Sequence, residues 1–259
     1  MGEQTLLLYR GHAKQEWQIS PSIFRQVPDI QRYENQIIRE LISTFPEQFA
    51  ADRSMFDRLV RMQHFGLPTR LLDMSRNPLV ALYFACCEEP EEDGAIVVTD
   101  TPDHKTKFFD SDVVSCIANL ANLTSNQTDS IEESKATTIA DLAKLQAIDR
   151  LVQFIREEKP HFVSRIKKSD LFKPVAVIPK IANPRLNAQF GAFILFGLDQ
   201  SEGVSYSKDS HVQNAIIPAK SKSSILDRLQ SIGVTGSTLF PEIDRAATQI
   251  VSVYKNKVS

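Results

Sequence analysis

Polar residues able to do chemistry gather in three short runs. Arg10 follows Thr5-Leu6-Leu7-Leu8-Tyr9, an alternating segment that reads as a strand, and precedes Gly11-His12. The run Arg61-Met62-Gln63-His64-Phe65-Gly66-Leu67-Pro68-Thr69-Arg70-Leu71-Leu72-Asp73 mixes polar and apolar side chains at a helix–strand junction. The third run is Gln189-Phe190-Gly191-Ala192-Phe193. An arginine on a rigid strand suits a diphosphate or carboxylate, because its planar fork offers two parallel donors. Buried polar groups must find partners, so these side chains bond one another or a ligand. A core-locking Arg70–Asp73 or Arg10–Asp73 pair and a ligand cleft are both compatible with that demand. The chain of 259 residues has nine glycines, and three of them, Gly11, Gly66 and Gly191, fall inside these runs. A residue without Cβ lets a backbone or ligand approach closely, which places one cleft at the three runs.

Other chemistries find little support. There is no G-x-S-x-G elbow, H-E-x-x-H, phosphate-binding G-x-x-x-x-G-K-[ST] or C-x-x-C. Five histidines are scattered without ligand spacing, so no metal site is expected. Cys86, Cys87 and Cys116 fit neither a disulfide framework nor a metal site, which points to a reducing, cytoplasmic compartment. The acidic run Glu88-Glu89-Pro90-Glu91-Glu92-Asp93 reads as a solvated helix end. Thirty Lys+Arg against thirty-two Asp+Glu give a net charge of -2, which argues against a polycationic nucleic-acid surface but leaves room for a local basic groove. No apolar stretch approaches the ~18 residues of a membrane span, so no membrane association is expected.

Helices, strands and their order must position these runs. Ile37, Ile38, Leu41, Ile42 and Phe45 have helical spacing, as do Phe56, Leu59 and Val60, whose face continues to Gln63. Gly66-Leu67-Pro68 ends that helix, and Thr69–Asp73 reads as a short strand with Thr69 and Asp73 on one face and Arg70 on the other. Asn77-Pro78 opens an apolar helix over 79–87, with Asn at the N-cap. Strands are expected at 94–98, 174–179 and 187–196, an edge strand at 214–218, and helices at 223–232 and 241–254. Residues 105–170 read as a helical insertion, helical over 139–157 with a flexible linker near 124–136, inside one domain spanning 1–259. The irregular alternation of elements gives an α+β class.

Tyr9-Arg10-Gly11, the Trp17–Arg25 segment, Gln63–Asp73 and Asn77–Ala85 resemble the FRG domain, named for its (F/Y)-R-G motif. Arg185–Phe193 and Leu239-Phe240-Pro241-Glu242 resemble the later motifs of that family. The order of elements also looks, more faintly, like the ADP-ribosyltransferase superfamily. That resemblance implies a mixed or antiparallel β core flanked by helices, with NAD as substrate. Arg10, Gln189 and Asp73 would then be catalytic, while Arg10, Gly11, Gln63, His64, Thr69, Arg70 and Asn77 would hold NAD. Gln189 stands where that superfamily has a glutamate, and Asp73 or Glu242 could supply the carboxylate instead.

The implied function is an ADP-ribosyltransferase-like toxin or antiphage effector, acting on an RNA, a DNA or a protein and neutralised by an antitoxin partner. The competing class is a binding module that recognises a nucleotide, nucleic acid or protein without turnover, with Arg61, Arg70 and Arg76 as a phosphate-contacting patch. A nuclease using Asp73 as a metal ligand is a third reading, but no nearby Glu-x-Lys completes a one-metal or two-metal site.

Overall fold

Alternation makes Thr5–His12 the first strand, β1, with Leu8 and His12 buried. The computed structural model describes residues 5–25, 30–102, 105–181, 183–198 and 211–241. After β1 come α1 (Ser22–Arg25), α2 (Glu34–Thr44), α3 (Pro46–Phe49), α4 (Met55–His64), β2 (Leu71–Ser75), α5 (Pro78–Cys86) and β3 (Gly94–Pro102). The short strand β4 (Lys107–Phe108) leads into α6 (Asp112–Ala118), α7 (Ser125–Glu133), α8 (Ile139–Leu142), α9 (Gln146–Glu158) and α10 (Lys168–Phe172). The chain returns through β5 (Val175–Ile178), α11 (Pro184–Ala188), β6 (Gly191–Leu195), β7 (His211–Ile217), α12 (Ala219–Ser231) and α13 (Gly236–Leu239). The described residues thus form a mixed α+β fold with seven strands and thirteen α-helices.

All seven strands join one sheet in the order β4-β5-β6-β2-β1-β3-β7. Among the described residues, only the β4–β5 pair is parallel. β1 is paired with β3 along its whole length, and β2 with β6 from Leu71 to Ser75. Between β1 and β2 the sheet is held at a single register pair, Tyr9 with Ser75. The two halves part beside that pair, and backbone groups facing the gap must find partners other than a neighbouring strand.

α5 lies against the sheet at this junction. Asn77 caps its start by accepting from the Leu79 N–H at 2.9 Å, and Pro78 occupies the first helical position. Val80 and Tyr83 pack with Leu229 of α12 and Leu239 of α13, which accounts for a helix apolar nearly all round. Lys222, buried on α12, donates to the carbonyls of Ala13, Glu88 and Glu89 at 2.8, 3.2 and 2.8 Å. It thereby ties α12 to the C-terminal end of α5, where a cation is favoured.

Gly11 is required by packing. A Cβ there would lie 2.0 Å from the Ala81 carbonyl oxygen and 2.6 Å from the Ala85 nitrogen, both main-chain atoms of α5. Gly11→Ala is expected to cost about 3 kcal/mol through overpacking, a fall of roughly 10 °C in the thermal midpoint, measurable by calorimetry. The close approach at Gly11 is thus made by the protein's own backbone. At Gly191 the neighbour is Leu186, and Gly66, with φ +88, serves the turn after α4.

The stretch 105–170 holds β4 followed by α6 to α10, and it packs into the same core as α2 to α4 and one face of the sheet: Val114, Ile117, Leu151 and Ile155 join Ile38, Leu59, Leu71 and Phe193. Three local expectations differ. The Ser/Thr-rich segment near 124–136 contains α7, whose start is capped by the Thr124 N–H donating to Gln127 Oε1 at 3.0 Å. The 139–157 helix is two, α8 and α9. The 187–196 strand begins only at Gly191, because Asn183 and Pro184 start α11 ahead of it. β7 does lie at the sheet edge. The expected helix over 241–254, and Glu242 with it, falls outside the described residues. Among the described residues, no helix is long and apolar enough to cross a membrane.

Candidate functional site

The gap between β1 and β2 opens into a cleft of about 210 Å³. Tyr9, Arg10, Gly11, Trp17, Asp73, Ser75, Phe84, Cys87, Glu88, Arg185 and Gln189 are among the residues lining it. β1 supplies Arg10, β2 supplies Asp73 and Ser75, and the turn before β6 supplies Gln189. These three strands are neighbours in the sheet, which is why residues far apart in sequence meet here.

Arg10 bridges the gap. Its Nη1 donates to the Asp73 carbonyl oxygen at 2.7 Å, satisfying a main-chain acceptor left where the strands part. Its Nε–H donates to Nε2 of His12 at 3.2 Å. Burial lowers the Arg10 pKa from its ordinary value; nearby Asp73 opposes that shift and Arg25 adds to it. Arginine keeps its charge at neutral pH nonetheless, so a cation faces the cleft.

The Asp73 carboxylate is exposed and oriented by a relay. The Leu71 N–H donates to Thr69 Oγ1 at 3.2 Å, Thr69 Oγ1 donates to Gln63 Oε1, and Gln63 Nε2 donates to Asp73 Oδ2 at 2.7 Å. Gln63 and Thr69, expected to bind a cofactor, therefore act here on Asp73. Gln189 is the C-cap of α11; its Nε2 donates to the Leu239 carbonyl at 3.1 Å, and its own carbonyl accepts from Ser75 Oγ at 2.7 Å. Phe190, next in sequence, is half-exposed and has φ +49, a left-handed conformation costly for a bulky residue at a helix end where glycine is usual. Two lining residues, Arg185 and Phe84, share Phe240 as a neighbour outside the lining: Arg185 stacks over its ring at 5.1 Å, and Phe84 meets it edge-on at 5.8 Å.

Four residues expected at the site lie or bond elsewhere. Arg70 stands just before β2, which begins at Leu71 rather than at Thr69, and it is buried in an ion pair with Glu34 and donates to the carbonyls of Phe196 and Gly197 at 3.2 and 3.3 Å. Arg61 is paired with Asp52 at 2.7 Å, so the proposed Arg61–Arg70–Arg76 patch does not form. His64 lines a separate depression with Asp52, Arg61 and Lys180. Asn77 serves the α5 cap. Trp17, Arg185, Phe84 and Glu88 also line the cleft; the sequence alone does not assign them there, because their placement depends on how the strands are ordered. The signal for Trp17 and Arg185 lay in their presence within the motif-like segments.

Residues 5–94 match the FRG domain. The FRG match runs from β1 to the first residue of β3, so Arg10, Gln63, Asp73 and α5 lie inside it, and Arg185 and Gln189 lie beyond it. No curated protein and no solved structure matches the chain. The FRG segment thus supplies the cation, the carboxylate and the helix that backs them.

Thiol and metal chemistry gain no support at this cleft. Cys87 lines it, but burial, with Glu88 adding to it, pushes its thiol up to about 12, so the thiolate is scarce at neutral pH. Among the described residues, no group of three or more His, Cys, Asp and Glu side chains could hold a metal ion.

His12 gives the cleft an acid limit. It is 1% exposed, and burial, with Arg10 and Arg25 adding to it, lowers its pKa from 6.5 to about 4. The unfolded chain then binds the extra proton first, so stability is full above pH 6.5 and is lost as pH falls toward 4. The loss due to His12 is about 2 kcal/mol by pH 5. Urea midpoints of wild type and His12→Gln at pH 7 and pH 5 measure it: the wild type should lose more over that interval.

Proposed function

We propose that this protein cleaves the nicotinamide–ribose bond of NAD and transfers ADP-ribose to a macromolecular acceptor, an RNA, a DNA or a protein. One observation carries the reading: the Arg10 cation and the oriented Asp73 carboxylate line the same cleft, on adjacent strands. Arg10 is suited to the diphosphate. As the C1′–N bond breaks, its electron pair neutralises the pyridinium nitrogen and positive charge builds at C1′, as in other glycosyl transfers. A fixed carboxylate stabilises that charge, and the acceptor then forms its bond to C1′ and loses a proton to solvent. At about 210 Å³ the cleft holds only part of a dinucleotide, so the remainder extends across its mouth toward the acceptor. A cytoplasmic toxin or antiphage effector, held in check by an antitoxin protein, is the biological setting proposed.

The second reading is a binding module without turnover. It is favoured by Gln189, an amide committed to the Leu239 carbonyl where a second carboxylate would strengthen catalysis. Incubation of the protein with labelled NAD and cell extract separates the two. Transfer of label by wild type and its loss in Arg10→Ala support the enzyme. Tight binding of RNA or protein by calorimetry, with neither transfer nor NAD affinity, supports the module and overturns the enzyme.

A further inference from the structure

Behind Arg10 lies a buried imidazole that the proposed reaction does not use. His12 accepts from the Arg10 Nε–H through Nε2, so that nitrogen must carry a lone pair. The same imidazole packs beside Trp17, its ring centroid 6.2 Å from the indole. His12 therefore touches two residues that line the cleft without lining it itself. The charged groups acting on it are Arg10, on its own strand, and Arg25, at the end of α1; both disfavour a second proton. Together with burial they keep the ring neutral at physiological pH, as the hydrogen bond from Arg10 demands. With Nε tied to His12 and Nη1 to the Asp73 carbonyl, the guanidinium is fixed at two points, and its remaining N–H groups are those a ligand can use.

We propose that His12 is a positioning residue: it aims Arg10 at the anionic part of the ligand and links that aim to the loop carrying Trp17. This rests on the reading that Arg10 binds the diphosphate of NAD. A side chain that places an acceptor at the Nε2 position should replace it, and one that reaches only the Nδ1 position should not. Preorganising one charged contact in this way is worth about tenfold in affinity.

The test uses the full chain and NAD as the probe, with binding followed by calorimetry and by the fluorescence of Trp17, the only tryptophan. His12→Asn should weaken NAD binding about tenfold, and His12→Gln should stay within about threefold of wild type. In an Arg10→Ala background His12→Asn should add nothing, since a residue acting through Arg10 has no further effect once Arg10 is gone. Equal binding by wild type and His12→Asn overturns the inference, as does an undiminished His12→Asn effect in the Arg10→Ala background. If the His12 variants do not fold, nitrogen NMR of the wild-type imidazole decides: a lone-pair Nε2 at pH 7 supports the inference, and a protonated Nε2 overturns it. Wild type that binds NAD no better than Arg10→Ala overturns the NAD reading and the inference with it. Binding lost in Arg10→Ala but intact in His12→Asn overturns the inference alone.

Discussion

Glu34→Ala is expected to destabilise the protein by about 3–5 kcal/mol, the cost of leaving a buried charge without its partner. Glu34 and Arg70 are both nearly inaccessible, at 5% and 4% exposure. Arg70 Nε donates to Glu34 Oε1 at 3.0 Å, and Nη2 donates to the other carboxylate oxygen. Nη1 is held by two carbonyls just after β6, which can share a proton but cannot neutralise the charge. Glu34 is also the first residue of α2, where a negative charge meets the positive end of the helix. Truncating it removes both interactions and leaves the guanidinium in an apolar setting. Replacing both partners with methionine should be far less damaging, because no charge is then stranded. Urea unfolding of the single and double variants measures the contrast. A loss below about 1 kcal/mol in Glu34→Ala would mean that Arg70 reaches solvent, and would return it to the candidates for ligand binding.

Arg70 also shows how far the sequence could be read. Its direction opposite to Asp73 follows from alternation along the run into β2, and so does its separation from the cleft. Its partner does not, because Glu34 lies 36 residues away on a helix whose docking no local pattern specifies. The helices α2, α4 and α5 were legible because their apolar residues recur at helical spacing or, in α5, because an Asn-Pro start precedes an unbroken apolar run. The strand expected from Asn187 starts at Gly191 because the one-turn helix α11 occupies Pro184–Ala188, and Asn183-Pro184 is its signal in the sequence. The Thr124–Gln127 cap was likewise present in the sequence, but Ser, Thr and Asn enrichment pointed to a loop. At the site, Arg10, Asp73 and Gln189 could be grouped because each stands near a strand end. That Gln63 and Thr69 serve Asp73 was open, since their polar groups needed partners of unknown identity. His12 was hidden altogether, as alternation makes it the next inward residue after Arg10 without revealing what it bonds.

Asp73→Asn separates catalysis from binding most sharply. Asparagine keeps the size of the side chain and an oxygen that can accept from Gln63 Nε2, so the relay from Thr69 survives. Asp73 is exposed, and the change should move stability by no more than about 0.5 kcal/mol. The Asp73 main-chain carbonyl, which holds Arg10, is untouched, so NAD affinity should remain within a few-fold of wild type. The full negative charge is what disappears, and its effect is largest when charge builds at C1′ of the ribose. Loss of one preorganised electrostatic contact of this kind lowers turnover by roughly 10²–10³-fold. In the terms of mutant kinetics, kcat and kcat/KM should fall together while KM stays near its original value. Single-turnover release of nicotinamide by wild type and Asp73→Asn, with binding measured in parallel, provides the comparison. Undiminished release by Asp73→Asn would remove the carboxylate from the chemistry. Weaker binding with unchanged turnover would assign Asp73 to holding the ligand rather than to stabilising the charge that develops on it.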